Sequence, residues 1–322
     1  MRELKRFMLV CSLTVLIFGL HAQDPTFTQF YANPLYLNPA LAGSQGCPRF
    51  GINYRNEWPQ LSGNYVTYSA SFDHYIKSVS GGFGILATHD QQGQGTIQTS
   101  MLGLIYSYHL QLSRKWKMMF GARASWYQKS LDWSKLTFGD MIDPRRGFIY
   151  ATGDVPRGGT RGFFDASAGA VVFSKHFFAG ASWHHLNRPN ESMIIGNSLL
   201  PWRITAHMGA EIQLSPKSSF SNSTSIMPNV IYQYQNGFQE LNIGTYLKYG
   251  SFNAGVWYRN RDAFIVTVGV SAGKFKLGYS YDLTVSKLNN GFTGGSHEIS
   301  MGLNMSCKKK TVSFKTISCP SF

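Results

Sequence analysis

FKLGYSYD, residues Phe275–Asp282, puts Phe275, Leu277, Tyr279 and Tyr281 on one side of an extended chain and Lys276, Gly278, Ser280 and Asp282 on the other. Period two is the spacing of a strand with one apolar and one polar face. SHEISMGLNM, residues 296–305, sets Ile299, Met301, Leu303 and Met305 against Glu298, Ser300, Gly302 and Asn304. RITAHMGAEIQL, residues 203–214, alternates in the same way, with His207 and Glu211 on its polar side. The pattern predicts strands near 49–55, 64–76, 82–89, 96–111, 116–131, 162–174, 177–187, 202–214, 228–235, 240–249, 252–259, 262–271, 275–282 and 296–305, about 14 in all.

Such strands bury their apolar faces in a soluble core or turn them to lipid, and the charges separate the two cases. Arg55, Asp73, Arg123, Asp165, Glu211, Lys248, Arg259, Lys276, Asp282 and Glu298 all fall on polar faces, and no apolar face carries a charge. A lysine or arginine facing mid-membrane costs about 2–4 kcal/mol, so lipid purges it. A soluble sheet tolerates edge lysines and uses them against aggregation. The reading is an all-β, transmembrane antiparallel β-barrel, with Arg55, Asp73, Arg123, Asp165, Glu211, Lys248, Arg259 and Glu298 as candidate lumen charges. Gly103, Gly121, Gly180, Gly244, Gly255 and Gly269 share the polar faces and leave space for a lumen or an inserted segment.

Composition agrees. Charged residues are 14% of the chain, aromatics 15%, and glycines number 33, whereas soluble domains carry roughly a quarter charged residues. The net charge of +14 comes with no basic run interleaved with aromatics, so no nucleic-acid partner is expected. Connections of one parity (56–63, 132–161, 188–201, 283–295) are long, and most of the other parity are tight turns. That is the asymmetry of outer-membrane barrels. Trp58, Tyr75, Trp116, Trp126, Trp133, Trp183, Trp202 and Trp257 near strand ends are candidates for interfacial girdles.

Ahead of the strands, MRELKRFMLVCSLTVLIFGLHA has a basic start and a 13-residue apolar run, Met8–Leu20, too short to span comfortably. Residues 1–22 read as a secretory signal peptide, 23–48 as a plug or periplasmic docking segment, 49–305 as the barrel and 306–322 as a basic periplasmic tail. The mature chain keeps Cys47, Cys307 and Cys319. A Cys307–Cys319 bridge and free thiols both fit an odd count. DPTFTQFYANPLYLNPALAG, residues 24–43, lacks alternation. Its Asn33-Pro34 and Asn38-Pro39 pairs set turns, and PLYLNPALAG suggests a short helical turn ended by Gly43. Phe27, Phe30, Tyr31, Tyr36 and Leu37 are too apolar for a free tail, so the lumen or a partner must cover them.

These residues carry a family resemblance. Asp24-Pro25, Gln29-Phe30-Tyr31, Asn33-Pro34 and Tyr36-Leu37-Asn38-Pro39-Ala40 stand in the order of the N-terminal signature of the PorP/SprF family. GINYRNEWP (51–59), the strand repeat and GSHEISMGLNM (295–305) extend the resemblance over essentially the whole mature chain, and the closing CKKKTVSFKTISCPSF resembles the tails of the SprF subgroup. The resemblance implies an outer-membrane protein of the Bacteroidetes tied to type IX secretion and gliding motility. It implies partners among the secretion components and a large surface adhesin or secreted cargo. It supplies no catalytic residues.

Chemistry searched for directly is sparse. Asp73-His74 and His184-His185 are strand neighbours that point to opposite faces, and His207 and Glu211 sit about 13 Å apart along a strand. No nucleophile elbow is present, and HDQQGQG (89–95) and GDMIDPRRG (139–147) lack the spacing of a calcium loop. The expectation is a non-enzyme with no cofactor or metal. Loop 132–161 is long enough to be functional, with Arg145, Arg146, Phe148, Tyr150, Arg157 and Arg161 as candidate contacts. The leading reading is a partner in type IX secretion that helps deliver or anchor an adhesin. The alternative is a passive or substrate-selective transporter.

Overall fold

The computed structural model describes residues 23–153, 158–194, 196–215, 223–286 and 290–305. The expectations for 1–22, for 306–322 and for Arg157 therefore lie outside the described residues. Among those described, no helix is long and apolar enough to cross a membrane. Strands take that place.

The strands are β1 (Arg49–Glu57), β2 (Tyr65–Ile76), β3 (Gly81–Gln92), β4 (Ile97–Gln111), β5 (Lys117–Leu131), a small loop hairpin β6 (Ile142–Asp143) and β7 (Gly147–Phe148), β8 (Thr160–Phe173), β9 (Phe177–His184), β10 (Arg203–Ala210), β11 (Ile212–Ser215), β12 (Thr224–Gln235), β13 (Phe238–Tyr249), β14 (Phe252–Arg259), β15 (Ala263–Ala272), β16 (Phe275–Thr284) and β17 (Ser296–Asn304). Apart from the hairpin they form one antiparallel sheet. β1 pairs with both β2 and β17, and β12 pairs with both β13 and the β10–β11 pair, so the sheet closes. β10 and β11 are one strand broken at Glu211, which makes 14 staves of the 15-stranded sheet. Pro228 of β12 sits opposite that break, between Asn229, paired with Gly209, and Ile226, paired with Ile212. A proline has no N–H to give a ladder, and the interruption removes the need for one.

Burial is inverted relative to a soluble sheet. Along β14, Phe252, Val256 and Tyr258 face out, whereas Asn253, Gly255 and Arg259 are buried. Leu102, Leu104, Val266 and Leu277 are at least half exposed, while Arg55, Asp73, Arg123, Asp165 and Glu298 are buried. An outer face of this kind is stable only against hydrocarbon. Glu211 and Lys248 keep the inward parity but are only partly buried. Trp257 departs from the girdle expectation: it shares the inward parity of Arg259 and is 2% exposed, packed on Phe30 and Tyr246. Gly244 makes room for its indole, since a Cβ there would meet Trp257 Cδ2 at 2.2 Å.

Connections 58–64, 132–159, 185–202 and 285–295 lie at one end, the long-loop mouth, and turns such as 77–80, 112–116, 250–251 and 273–274 at the other. Cys47 is disulfide-bonded and so is not a free thiol. The described residues hold no other cysteine, so its partner lies outside them.

Candidate functional site

Residues 24–43 touch inward-facing groups all round the sheet, which places them inside the barrel. The Glu298 carboxylate of β17 accepts from the Thr28 N–H at 2.6 Å and its hydroxyl at 2.9 Å. The Gln29 amide donates to the Glu298 carbonyl at 3.0 Å. The Asn33 amide donates to Ser69 of β2 at 2.9 Å. Ser107 of β4 donates to the Ala40 carbonyl at 2.7 Å, and Ser182 of β9 to the Leu37 carbonyl at 2.8 Å. Each bond satisfies a backbone or side-chain group that would cost free energy if buried alone.

The local shape follows from two Asn-Pro pairs. Helix α1 (Pro34–Leu37) starts with proline at its first turn, and Asn38 ends it in an extended conformation ahead of Pro39. A 3₁₀ turn, Pro39–Leu41, follows, capped by the Asn38 side chain on the Ala40 N–H at 2.9 Å. Gly43 then turns the chain with φ +70° toward β1. The expected single turn is thus two, split by Asn38. The other half of the Asn38 amide donates to the carbonyls of Ala181 at 3.0 Å and Ala170 at 3.3 Å.

The segment supplies the barrel with a core. Phe30, Tyr31, Leu37, Ala40 and Leu41 pack with Phe178, Ile231, Tyr246 and Trp257. Leu35 and Ala42 pack with Leu86, Met101 and Ile105. Two wall glycines take its backbone directly. A Cβ on Gly121 would lie 2.3 Å from the Ala40 nitrogen, and one on Gly82 2.1 Å from the Ala42 oxygen. Phe27 is also buried, so four of the five apolar candidates are fully inside and Tyr36 is nearly so.

At the long-loop mouth the segment is fastened by charge. Asp24 reaches His185 Nε2 at 2.7 Å and Arg203 Nη1 at 3.1 Å, and Arg203 also donates to the Tyr36 hydroxyl at 3.0 Å. His185 Nδ1 meets Asp165 at 3.0 Å. Burial alone would push the His185 pKa down, but the carboxylates of Asp24 and Asp165 override it and raise it to about 9. Burial would raise Asp24, yet His185 and Arg203 hold it well below the usual carboxylate range. Here the expectation for His184 and His185 fails. His184 is the last residue of β9, and His185 adopts φ +60°, so both rings turn inward, 6.4 Å apart.

A second network joins the candidate charges. Arg55 pairs with Asp282 at 3.0 Å, Glu57 at 3.4 Å and Glu298 at 3.7 Å. Arg259 pairs with Asp262 at 3.2 Å, Asp282 at 3.4 Å and Glu240 at 3.6 Å. Asp73 holds Arg49 at 2.8 Å and the Gly43 N–H at 2.7 Å. His207 hydrogen-bonds Asn38 at 3.2 Å and packs on Tyr31 and Phe178. The sequence does not single out Arg49 or Arg203; Asp24 stands there only in the family signature, and Asp90 only in a stretch without calcium-loop spacing. Arg203 shares the parity of His207, which was a usable signal. Asp24 lies outside any periodic pattern.

Above the segment a cavity of about 1060 Å³ opens at the long-loop mouth, with Asp24, Pro25 and Tyr36 among its lining residues. The loop candidates lie elsewhere. Arg145 and Arg146 give their N–H groups to Asp143, and Phe148 and Tyr150 are exposed. Arg161 is not a loop residue: it belongs to β8, and its Nε braces the Asn190 carbonyl at 2.8 Å.

A closed, apolar-faced, 14-stave sheet with a polar interior defines an outer-membrane-type β-barrel. The chain belongs to the family described as type IX secretion system membrane protein PorP/SprF, whose model matches residues 20–303. No curated protein matches it. Among solved structures it is similar to the CymD monoaromatic hydrocarbon channel (12% identity, 89% of this chain and 96% of that one, TM-score 0.49). It is also similar to a Pseudomonas aeruginosa FadL homologue (9% identity, 88% and 99%, TM-score 0.44). A third is the Acinetobacter baumannii outer membrane protein Omp33 (8% identity, 81% and 100%, TM-score 0.41).

Proposed function

We propose that this protein is a non-enzymatic outer-membrane component of type IX secretion and gliding, exported by its N-terminal signal peptide. It helps deliver or anchor a large surface adhesin or secreted cargo, or links the barrel to periplasmic secretion components. Its long-loop mouth faces outward and its short turns face the periplasm, the arrangement usual in outer-membrane barrels. The observation that carries this reading is a bore occupied by the chain's own residues 24–43, which are hydrogen-bonded to β17, β2, β4 and β9. A barrel stopped by its own chain is better suited to holding partners at its two ends than to passing solute between them. The segment serves as the seal, and its exit beside the short turns is the docking element for periplasmic parts.

Deleting residues 24–43 in the native organism tests this. The expected result is an inserted barrel with reduced adhesin display. Unchanged display would remove the segment from the function. A gentle-detergent pull-down of the tagged native protein is the companion measurement. Recovery of secretion components or an adhesin supports the reading, and a lone barrel that conducts ions would favour the transporter.

A further inference from the structure

The mouth cavity has a composition unlike the rest of the chain. Asp24, Glu57, Asp90, Glu191, Glu240 and Asp262 line it, six of the chain's 16 acidic residues, against three of its 30 lysines and arginines. Those three are Lys129, Arg259 and Arg261. In a protein of net charge +14, this concentration of carboxylates is a local reversal of sign.

Ion pairs reduce it without cancelling it. Asp24 meets His185 and Arg203, with Asp165 on the other side of His185, and Glu191 meets Lys129. Arg55 and Arg259 between them serve five carboxylates: Glu57, Asp282, Glu298, Glu240 and Asp262. Asp90 is 4% exposed and forms no ion pair among the described residues. Its oxygens accept only from neutral groups, Thr67 at 2.7 Å and Gln92 at 2.8 Å. A carboxylate so buried and without a cation is costly in its charged form, and an incoming positive charge stabilises that form against uptake of a proton. The wall also carries Trp58, Tyr65, Phe163 and Phe238, which suit the aliphatic stems and cationic heads of lysine and arginine. At about 1060 Å³ the space is far larger than a bare ion needs and admits several side chains.

We infer that the mouth cavity is a receptor cup for a cationic stretch of polypeptide. The inference rests on the reading of the protein as a partner-holding barrel, and it gives that partner a chemistry: a segment with spaced lysines or arginines that enters from the long-loop side. Low-dielectric walls focus the field of the carboxylates toward the opening and steer such a segment inward.

The test uses the full-length protein in a non-ionic detergent and three fluorescein-labelled peptides of equal length: alternating lysine–serine, alternating glutamate–serine, and glycine–serine. Anisotropy should show saturable binding of the lysine peptide alone, weakened several-fold by added salt. Asp90→Asn should weaken it about fivefold, and Asp90→Asn with Asp262→Asn further, with heat-modifiable migration unchanged. Equal binding of the glutamate peptide, no saturable binding, or affinity unmoved by both substitutions would overturn the inference. A pull-down from cells separates this result from the parent reading. Partners recovered without peptide binding would remove the cup and keep the partner-holding role. Peptide binding with no recovered envelope partner would keep the cup and remove that role.

Discussion

Asp24 and His185, 161 residues apart in sequence, meet at 2.7 Å at the long-loop end of the barrel. The first carboxylate of the inner segment is thereby tied to the residue that follows β9. Arg203 completes the clasp at 3.1 Å. The contact fixes the start of the segment at the mouth, while the Asp73 carboxylate fixes its other end through the Gly43 N–H.

The clasp has a pH signature. His185 is raised to about 9 in the folded protein, above its ordinary value. Its contribution is therefore complete below the unfolded value near 6.5 and is lost as pH rises through about 9. Asp24 acts with the opposite sign: its lowered pKa adds stability above the ordinary carboxylate range, lost only in strong acid. The expected profile is a thermal midpoint that is flat from about pH 5 to pH 6.5 and declines toward about pH 9. His185→Gln should lower the midpoint at about pH 6 and flatten the alkaline decline. The same decline in the variant would mean that another group controls it.

The inner segment rests on wall residues that have no side chain. Gly121→Val places a Cβ 2.3 Å from the Ala40 nitrogen, where the neighbour is backbone and cannot swing aside. The expected outcome is a barrel that still assembles, because its outer face and ladders are untouched, but with residues 24–43 open to protease. Gly63→Ala, in a connection with nothing near its Cβ and without a positive φ, serves as the comparison for handling. Protease protection of the segment in the Gly121 variant would show that the wall yields.

Arg55 tests the buried network. Its guanidinium faces Asp282, Glu57 and Glu298, with side-chain exposures of 2%, 26% and 0%. Arg55→Met leaves Glu298 buried without a cation and Asp282 with Arg259 alone, and should cost about 3–5 kcal/mol. Adding Glu298→Gln removes one orphaned charge while keeping a group that accepts from Thr28, and should recover part of the loss. The measurement is a denaturant-unfolding cycle in detergent. Additive losses would show that the two residues do not share one network.

Much of this architecture was legible because lipid enforces a rule that a sequence displays openly. Outward residues must be apolar, so period two marked every stave, and charges of one parity, such as Arg55 and Asp165, had to be inside. The breaks in that rule were hidden. Residues 177–187 looked like one strand, but the left-handed φ of His185 ends the alternation and brings a second ring inward. Pro228 looked like a strand start, and only the interruption of its neighbour between Ala210 and Ile212 lets β12 begin at Thr224. Trp257 looked interfacial because tryptophan favours that zone, yet a glycine beside it and Phe30 above it make an inward seat. The clasp on Asp24 joins groups with no local pattern between them, so no sequence period announces it.

Asn38 is the sharpest single probe of how the segment is held. Its side-chain oxygen caps the 3₁₀ turn through the Ala40 N–H, and its nitrogen donates to the carbonyls of Ala181 and Ala170 and to His207. Asn38→Ala loses both functions and should cost about 2–4 kcal/mol, from a lost cap and lost buried hydrogen bonds together. Asn38→Asp keeps the capping oxygen but replaces the donor with an acceptor facing two carbonyl oxygens. If the donor side matters most, aspartate is worse than alanine despite being closer in shape. If the cap matters most, aspartate is the milder change. The contacts favour the first order, because a buried carboxylate against carbonyls adds repulsion and desolvation to the lost bonds. Unfolding midpoints of the two variants, measured with protease protection of residues 24–43, decide the order. Aspartate milder than alanine in both readouts would place the anchorage in the turn rather than in the barrel wall.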